Sequence, residues 1–304
     1  MHVTVAGAGA VGSHYASLMQ LGGMQVSLLA RGAHFRAMKE SGLRHVSMEK
    51  EQTVAVDAHD NPSCLRQADI VLFSCKMTGL ANLLADARPH IRDHALLISL
   101  QNGVEAPSLL SDFFPDHAIA AGIAFIGARI EEPGYVIHSA AGRLCFGPWR
   151  EGPGGQMLPE FVQALTHCGI GVRLVDDIRQ QLWRKMLWNC GFNAITALTC
   201  RFAADIAEHN DCCRLATAAM NEMLPVAAAH GVILERKDIE QAIKDTLSCG
   251  PVKTSMWQDL EQGRPTEIAH LNGFIGSEAA RLGQEAPVNS MLTTLMRARQ
   301  GSGN

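Results

Sequence analysis

Apolar and polar positions follow two different rhythms along this chain, and the change falls near residue 176. Before it, short β-type runs at residues 3–6, 25–30, 70–74, 95–100 and 118–123 are predicted strands. Helical periodicity fills residues 13–21, 34–41, 80–88 and 105–112 between most of them. Strands that alternate with helices need crossover connections, so a parallel sheet and an α/β domain are expected. Two further runs, 135–139 and 144–147, bracket Ala141-Gly142 and are expected to form a hairpin closing the far side of that domain. Gly152-Pro153-Gly154-Gly155 then leads to a last helix and a strand at 171–175.

After Asp176-Asp177 only helical periodicity remains. Asp177 followed by Gln180 matches a capping box that starts a long helix through about Cys200. Gly231, Gly250 and Gly263 stand where later helices should stop, and Pro287 where a last one should begin. The chain is therefore expected to hold an α/β domain over residues 1–176 and an all-helical domain over 177–304.

Composition narrows the function classes. The 304 residues are 47% hydrophobic and 18% charged, inside the globular range, and suffice for two cores. A net charge of −4 without a Lys/Arg run argues against a nucleic-acid surface. No run approaches the roughly 20 apolar residues of a membrane span, and the start, His2-Val3-Thr4-Val5-Ala6, reads as a strand rather than a secretory leader. The nine cysteines include no C-x-x-C pair, and adjacent Cys212-Cys213 cannot grip a tetrahedral metal together. They read as reduced thiols of a cytoplasmic protein, and no metal site is proposed. The sequence leaves open whether the chain pairs as a homodimer.

Gly7-Ala8-Gly9-Ala10-Val11-Gly12 fits G-x-G-x-x-G between the first predicted strand and helix. The first glycine makes the turn, the second admits a pyrophosphate, and the third lets helix approach strand. The plain alternative is a glycine turn without a ligand. At the end of the second strand, where an NAD site carries an acid for the ribose hydroxyl, stands Arg31, and no acid occurs between Gly12 and Glu40. A planar, permanent cation suits a 2′-phosphate, which favours NADPH; a solvated surface arginine is the competing reading.

In the long helix, Lys185, Asn189 and Asn193 recur every fourth residue among large apolar side chains, so they share one face. Buried lysine and asparagine are costly unless they find partners or line a wet cavity. An interhelical hydrogen-bond seam is the bland alternative. Further on, Ser255 lies near the start of a short helix, and Glu267 follows Gly263-Arg264-Pro265-Thr266. Ser255 and Thr266 also suit ordinary caps, and Glu267 a first-turn acid.

Taken in order, these pieces resemble the ketopantoate reductase (2-dehydropantoate 2-reductase) family. The resemblance rests on the Gly7–Gly12 turn with Arg31, on Cys75-Lys76, Gln101-Asn102-Gly103 and His138…Gly142…Gly147. It rests further on the Lys185/Asn189/Asn193 helix, Ser255-Met256 and the segment from Gly263 to Ile268. It implies a Rossmann-type N-terminal domain, a helical C-terminal domain, an active site in the cleft between them, and reduction of a small-molecule 2-oxo acid by NADPH. It further implies that Lys185 is the proton donor and that Asn189, Asn193 and Ser255 bind substrate with it. The resemblance also assigns Lys76, Asn102 and Glu267 to the cofactor. The chain departs from the pattern at Gln101, where histidine is frequent, and at Ala269, where aspartate is. A reductase of another 2-oxo acid and a non-catalytic NADP(H)-binding sensor remain the alternatives.

Overall fold

The computed structural model describes residues 1–48 and 50–301. Two compact units emerge: Met1–Gln101 with Glu105–Ile178, and Arg179–Asn304 joined by the short segment Asn102–Val104.

In the first unit, β1 (His2–Ala6), α1 (Ala10–Leu21), β2 (Gln25–Leu29) and α2 (Gly32–Ser41) open a parallel sheet. A side hairpin follows, β3 (Leu43–Ser47) with β4 (Lys50–Val54), and then β5 (Asp57–His59). Next come β6 (Ile70–Phe73), α3 (Met77–Ala87), β7 (Leu96–Ser99), α4 (Ala106–Phe113) and the long β8 (Ile119–Glu132). The unit ends with β9 (Tyr135–Arg150), α5 (Met157–His167) and β10 (Val172–Leu174). Within the sheet β5-β2-β1-β6-β7-β8 are neighbours and all parallel. Leaving the side hairpin aside, that is strand order 3-2-1-4-5-6, the Rossmann arrangement. β6 (IVLF) and β7 (LLIS) are buried throughout because helices cover both faces. Tyr15, Met19, Phe161 and Leu165 pack on one face, and Leu80, Leu84, Leu110 and Phe114 on the other.

The predicted hairpin about Ala141-Gly142 is not a hairpin. Residues 135–147 lie in one strand, β9, which pairs antiparallel with β8 after a turn at Pro133-Gly134. Ala141-Gly142 form a bulge: Phe125 pairs with Arg143 and Ile126 with Ala141, so Gly142 has no opposite number. Both residues have positive φ, 57° and 111°. The buried His138 ring holds the bulge, its Nε2–H donating to the carbonyls of Ala140 and Ala141 at 3.1 Å each. A bulge and a turn draw on the same small and glycine residues, which is why the sequence misleads here.

The second unit is helical: α6 (Ile178–Thr199), α7 (Ala203–Glu208), α8 (Asn210–Ala229), α9 (Arg236–Ser248), α10 (Ser255–Glu261), α11 (Asn272–Arg281) and α12 (Pro287–Arg299). Gly231, Gly250 and Gly263 follow α8, α9 and α10 with positive φ, and Pro287 opens α12, as expected. A buried polar network fixes α6. Asn272 Nδ2 donates to the Cys190 carbonyl and to Asn289 Oδ1, both at 2.9 Å, while Asn289 Nδ2 donates to the Ala219 carbonyl and to Glu222. Glu222 in turn accepts the first-turn N–H groups of α12 from Val288 and Asn289. Among the described residues no helix is long and apolar enough to cross a membrane.

Candidate active site

The Gly-rich turn leaves β1 where parallel strands leave their carboxyl ends free for ligands. Gly7 has φ 100°, and a Cβ there would lie 2.5 Å from the Cys75 backbone nitrogen. A Cβ on Gly12 would collide with Ser74 Oγ and come within 2.7 Å of the Gly7 carbonyl. Gly9 differs, because a Cβ there would meet nothing within 4 Å. Gly7 and Gly12 are therefore demanded by packing, whereas Gly9 faces open space. No side chain caps α1, and its first turn holds no acid, so its N-terminal N–H groups at Ala10, Val11 and Gly12 suit an anion. These features fit a dinucleotide pyrophosphate.

Arg31 ends β2 in extended conformation, caps α2 with its backbone and is exposed. Among the described residues its guanidinium has no protein partner. Lys76, also exposed, holds the corresponding place after β6, at the start of α3. A surface cavity lies at the other ends of β7 and β8, lined by Leu96, Ala118, Ile119, Arg150, Glu151 and Gln156. It includes none of the expected site residues, and it sits at the edge where open parallel sheets do not bind ligands.

In the helical unit, five of the expected residues join into a chain of three and a pair. Lys185 Nζ donates to Asn102 Oδ1 at 2.9 Å, and Asn102 Nδ2 donates to Glu267 Oε2 at 3.2 Å. An ammonium on one side and a carboxylate on the other fix which way the Asn102 amide faces. Glu267 is buried and Lys185 half-buried. Burial lowers the Lys185 pKa to about 8, although the Glu267 carboxylate pulls in the opposite direction. An amine poised there holds a proton at neutral pH and can release it, as a general acid must.

One and two turns further along α6 lie Asn189 and Asn193, both buried. Asn193 Nδ2 donates to Asn189 Oδ1 at 3.3 Å. Asn189 Nδ2 and Asn193 Oδ1 have no partner among the described residues. A buried donor and a buried acceptor left unpaired cost free energy unless a ligand meets them. Ser255, the first residue of α10, is exposed. Thr254, which the sequence did not single out, is the cap: its Oγ1 accepts from the Trp257 N–H and lies 2.7 Å from Thr196 Oγ1 on α6. That bond ties the start of α10 to the helix carrying Lys185. Asn102 was expected to contact the cofactor and Lys185 to be catalytic, but their direct bond joins positions 83 residues apart and had no signal in the sequence.

Sheet order and glycine turn define a Rossmann-type unit, the class shared by oxidoreductases that use nicotinamide dinucleotides. Residues 3–151 match the family model described as Ketopantoate reductase PanE/ApbA, and residues 177–300 the model for its C-terminal part. A crystal structure of a PanE/ApbA family ketopantoate reductase from Ralstonia eutropha JMP134 is 31% identical, with TM-score 0.89 over 99% of this chain and 98% of that one. The 2-dehydropantoate 2-reductase of Halobacterium salinarum is 29% identical over the whole of both chains. D-mandelate dehydrogenase, solved as a ternary structure with NADH and anilino(oxo)acetate, is 25% identical with TM-score 0.91, covering 99% of each chain. The chain belongs to the ketopantoate reductase family and is a nicotinamide-dinucleotide-dependent oxidoreductase acting on CH–OH groups.

Proposed function

We propose that this enzyme uses NADPH to reduce a 2-oxo acid to the 2-hydroxy acid, with ketopantoate to pantoate as the physiological reaction. The observation that carries the reading is the half-buried Lys185 ammonium, bonded to Asn102 and lowered in pKa to about 8. NADPH, when bound, supplies the hydride. Gly7, Ala8, Gly9, Ala10, Val11 and Gly12 hold its pyrophosphate, and Arg31 pairs with its 2′-phosphate. Lys76, Asn102 and Glu267 complete its contacts.

Lys185 hydrogen-bonds the substrate carbonyl oxygen and gives up its proton as negative charge develops there. Asn189 and Asn193 turn their unpaired amide atoms to the substrate, and Ser255 helps hold its carboxylate. Neutral amides orient the acid without cancelling the lysine charge. Glu267 keeps Lys185 protonated near neutral pH, because its carboxylate opposes the effect of burial.

A second reading, reduction of an aromatic 2-oxo acid with NADH, is favoured by the likeness to D-mandelate dehydrogenase bound to NADH. Arg31 and the absence of an acid at the end of β2 speak against its cofactor half. The test is an assay following oxidation of NADPH and of NADH with ketopantoate, phenylglyoxylate and other 2-oxo acids. The proposal requires the highest kcat/KM for NADPH with ketopantoate. A preference for phenylglyoxylate, or for NADH, overturns the corresponding half. Tight NADPH binding without turnover of any oxo acid would favour the sensor.

A further inference from the structure

Ser74 follows β6, the strand beside β1, and its hydroxyl reaches the glycine turn from outside the G-x-G-x-x-G run. Its backbone N–H donates to the Ala6 carbonyl at 2.9 Å, continuing the β1–β6 pairing by one residue. Its Oγ–H donates to the Gly7 carbonyl at 2.7 Å. The same carbonyl accepts the Gly9 N–H at 2.8 Å, so both its lone pairs are engaged. The N–H groups of Gly7 and Ala8 donate to the Leu29 carbonyl of β2 at 3.0 and 3.1 Å. The turn is thus held by β2 through its amides and from the β6 side by the Ser74 hydroxyl. Nothing in the motif itself supplies that second anchor.

We propose that Ser74 is a positioning residue for the dinucleotide, acting through the Gly7 carbonyl rather than by touching the cofactor. The inference rests on the reading that this turn holds the pyrophosphate. A carbonyl oxygen next to a bound dianion is unfavourable if it swings toward it. The Ser74 hydroxyl pins that oxygen inward, which leaves the α1 N-terminus to face the phosphates. It also occupies the space that the glycine at position 12 keeps free, so the hydroxyl and Gly12 fit each other. A turn fixed before binding loses less conformational freedom when the cofactor arrives, and affinity gains accordingly. The hydroxyl therefore acts on affinity more than on overall stability, since the turn keeps its bonds to β2 when the hydroxyl is gone.

The experiment is Ser74→Ala and Ser74→Thr in the full chain, with Kd for NADPH and for NADH, Tm without cofactor, and amide exchange across Gly7–Gly12. Loss of one neutral hydrogen bond should raise Kd by about three- to tenfold in Ser74→Ala. The factor should be the same for both dinucleotides, because the pyrophosphate is common to them, and the KM for cofactor should rise while kcat stays within about twofold. Exchange should quicken at the turn alone, Tm should move by less than about 2 °C, and Ser74→Thr, which keeps the hydroxyl, should restore affinity. Unchanged Kd in Ser74→Ala overturns the proposal. So does a fall in Tm with affinity intact, which makes Ser74 a fold residue only. Should the wild type bind neither dinucleotide, the cofactor reading fails instead.

Discussion

Lys185 Nζ donates to Asn102 Oδ1 at 2.9 Å, and the same amide donates through Nδ2 to Glu267 Oε2 at 3.2 Å, so one asparagine touches both the ammonium and the carboxylate. Burial pulls the Lys185 pKa down and the Glu267 carboxylate pulls it up, which leaves it at about 8.

A pH profile follows from that arrangement. The proton donor works only while protonated, so kcat should fall as pH rises through about 8. Glu267 raises the Lys185 pKa, so Glu267→Gln should move this basic limb to lower pH. Lys185→Ala should abolish the limb and lower kcat by about 10²- to 10⁴-fold while the fold survives. A near wild-type kcat in Lys185→Ala, with its basic limb intact, would sink the mechanism.

The proposed preference for NADPH rests on Arg31, which is exposed and without a protein partner among the described residues. Replacing it leaves no protein group unpaired, so Arg31→Ala should not destabilise the chain. A charge-assisted hydrogen bond contributes roughly 1.5–3 kcal/mol, so the Kd for NADPH should rise by about 10- to 100-fold. NADH binding should stay nearly the same. Equal losses for both dinucleotides would remove the 2′-phosphate from the argument.

The parallel core and the α6 polar stripe were legible because their signals are local. Buried parallel strands read as continuous apolar runs, and Lys185, Asn189 and Asn193 break an apolar helix at a constant spacing. β4 and β5 escaped notice because Lys50-Glu51-Gln52-Thr53-Val54 and Asp57-Ala58-His59 are short and mostly polar. The β8–β9 turn did carry a signal in Pro133-Gly134, which Ala141-Gly142 outweighed. What no local pattern holds is a bond between distant positions. The Lys185–Asn102–Glu267 chain, the hydroxyl of Ser74 on Gly7 and the Thr196–Thr254 bond all depend on tertiary packing.

The start of α10 separates binding from capping. Thr254, not Ser255, caps that helix and bonds to Thr196. Thr254→Ala should therefore lower stability by about 1 kcal/mol or more, seen as a lower Tm. Ser255→Ala should leave Tm alone and raise KM for the oxo acid more than it lowers kcat, since carboxylate binding is similar in ground and transition states. A drop in Tm with KM unchanged in Ser255→Ala would return that residue to a structural role.

Acid sensitivity should come from a buried histidine cluster between α1, β3 and β9. His14 on α1 and His45 on β3 share a 2.9 Å hydrogen bond, and the His138 ring centroid lies 4.3 Å from that of His14. All three are buried. Burial, with the neighbouring histidines adding to it, lowers the pKa of His14 to about 3 and that of His45 to about 4. The charges acting on His14 are those of His138 and His45, so no carboxylate offsets a proton taken up there. The His138 ring is held in place, with Nδ1 2.9 Å from Ser47 Oγ and Nε2–H serving the bulge carbonyls. In the unfolded chain the His14 and His45 rings titrate near 6.5. Between that pH and the depressed folded values, the unfolded state binds more protons. Stability is thus full above about pH 6.5 and falls as pH drops toward 4, at up to about 1.4 kcal/mol per pH unit for each such histidine. Urea denaturation at pH 7.5 and at pH 5 measures the loss. His14→Leu, which removes one titrating ring from this buried cluster, should flatten the dependence even if it lowers stability at pH 7.5. A His14→Leu chain that loses as much stability as the wild type between those two pH values would show that the acid sensitivity arises elsewhere.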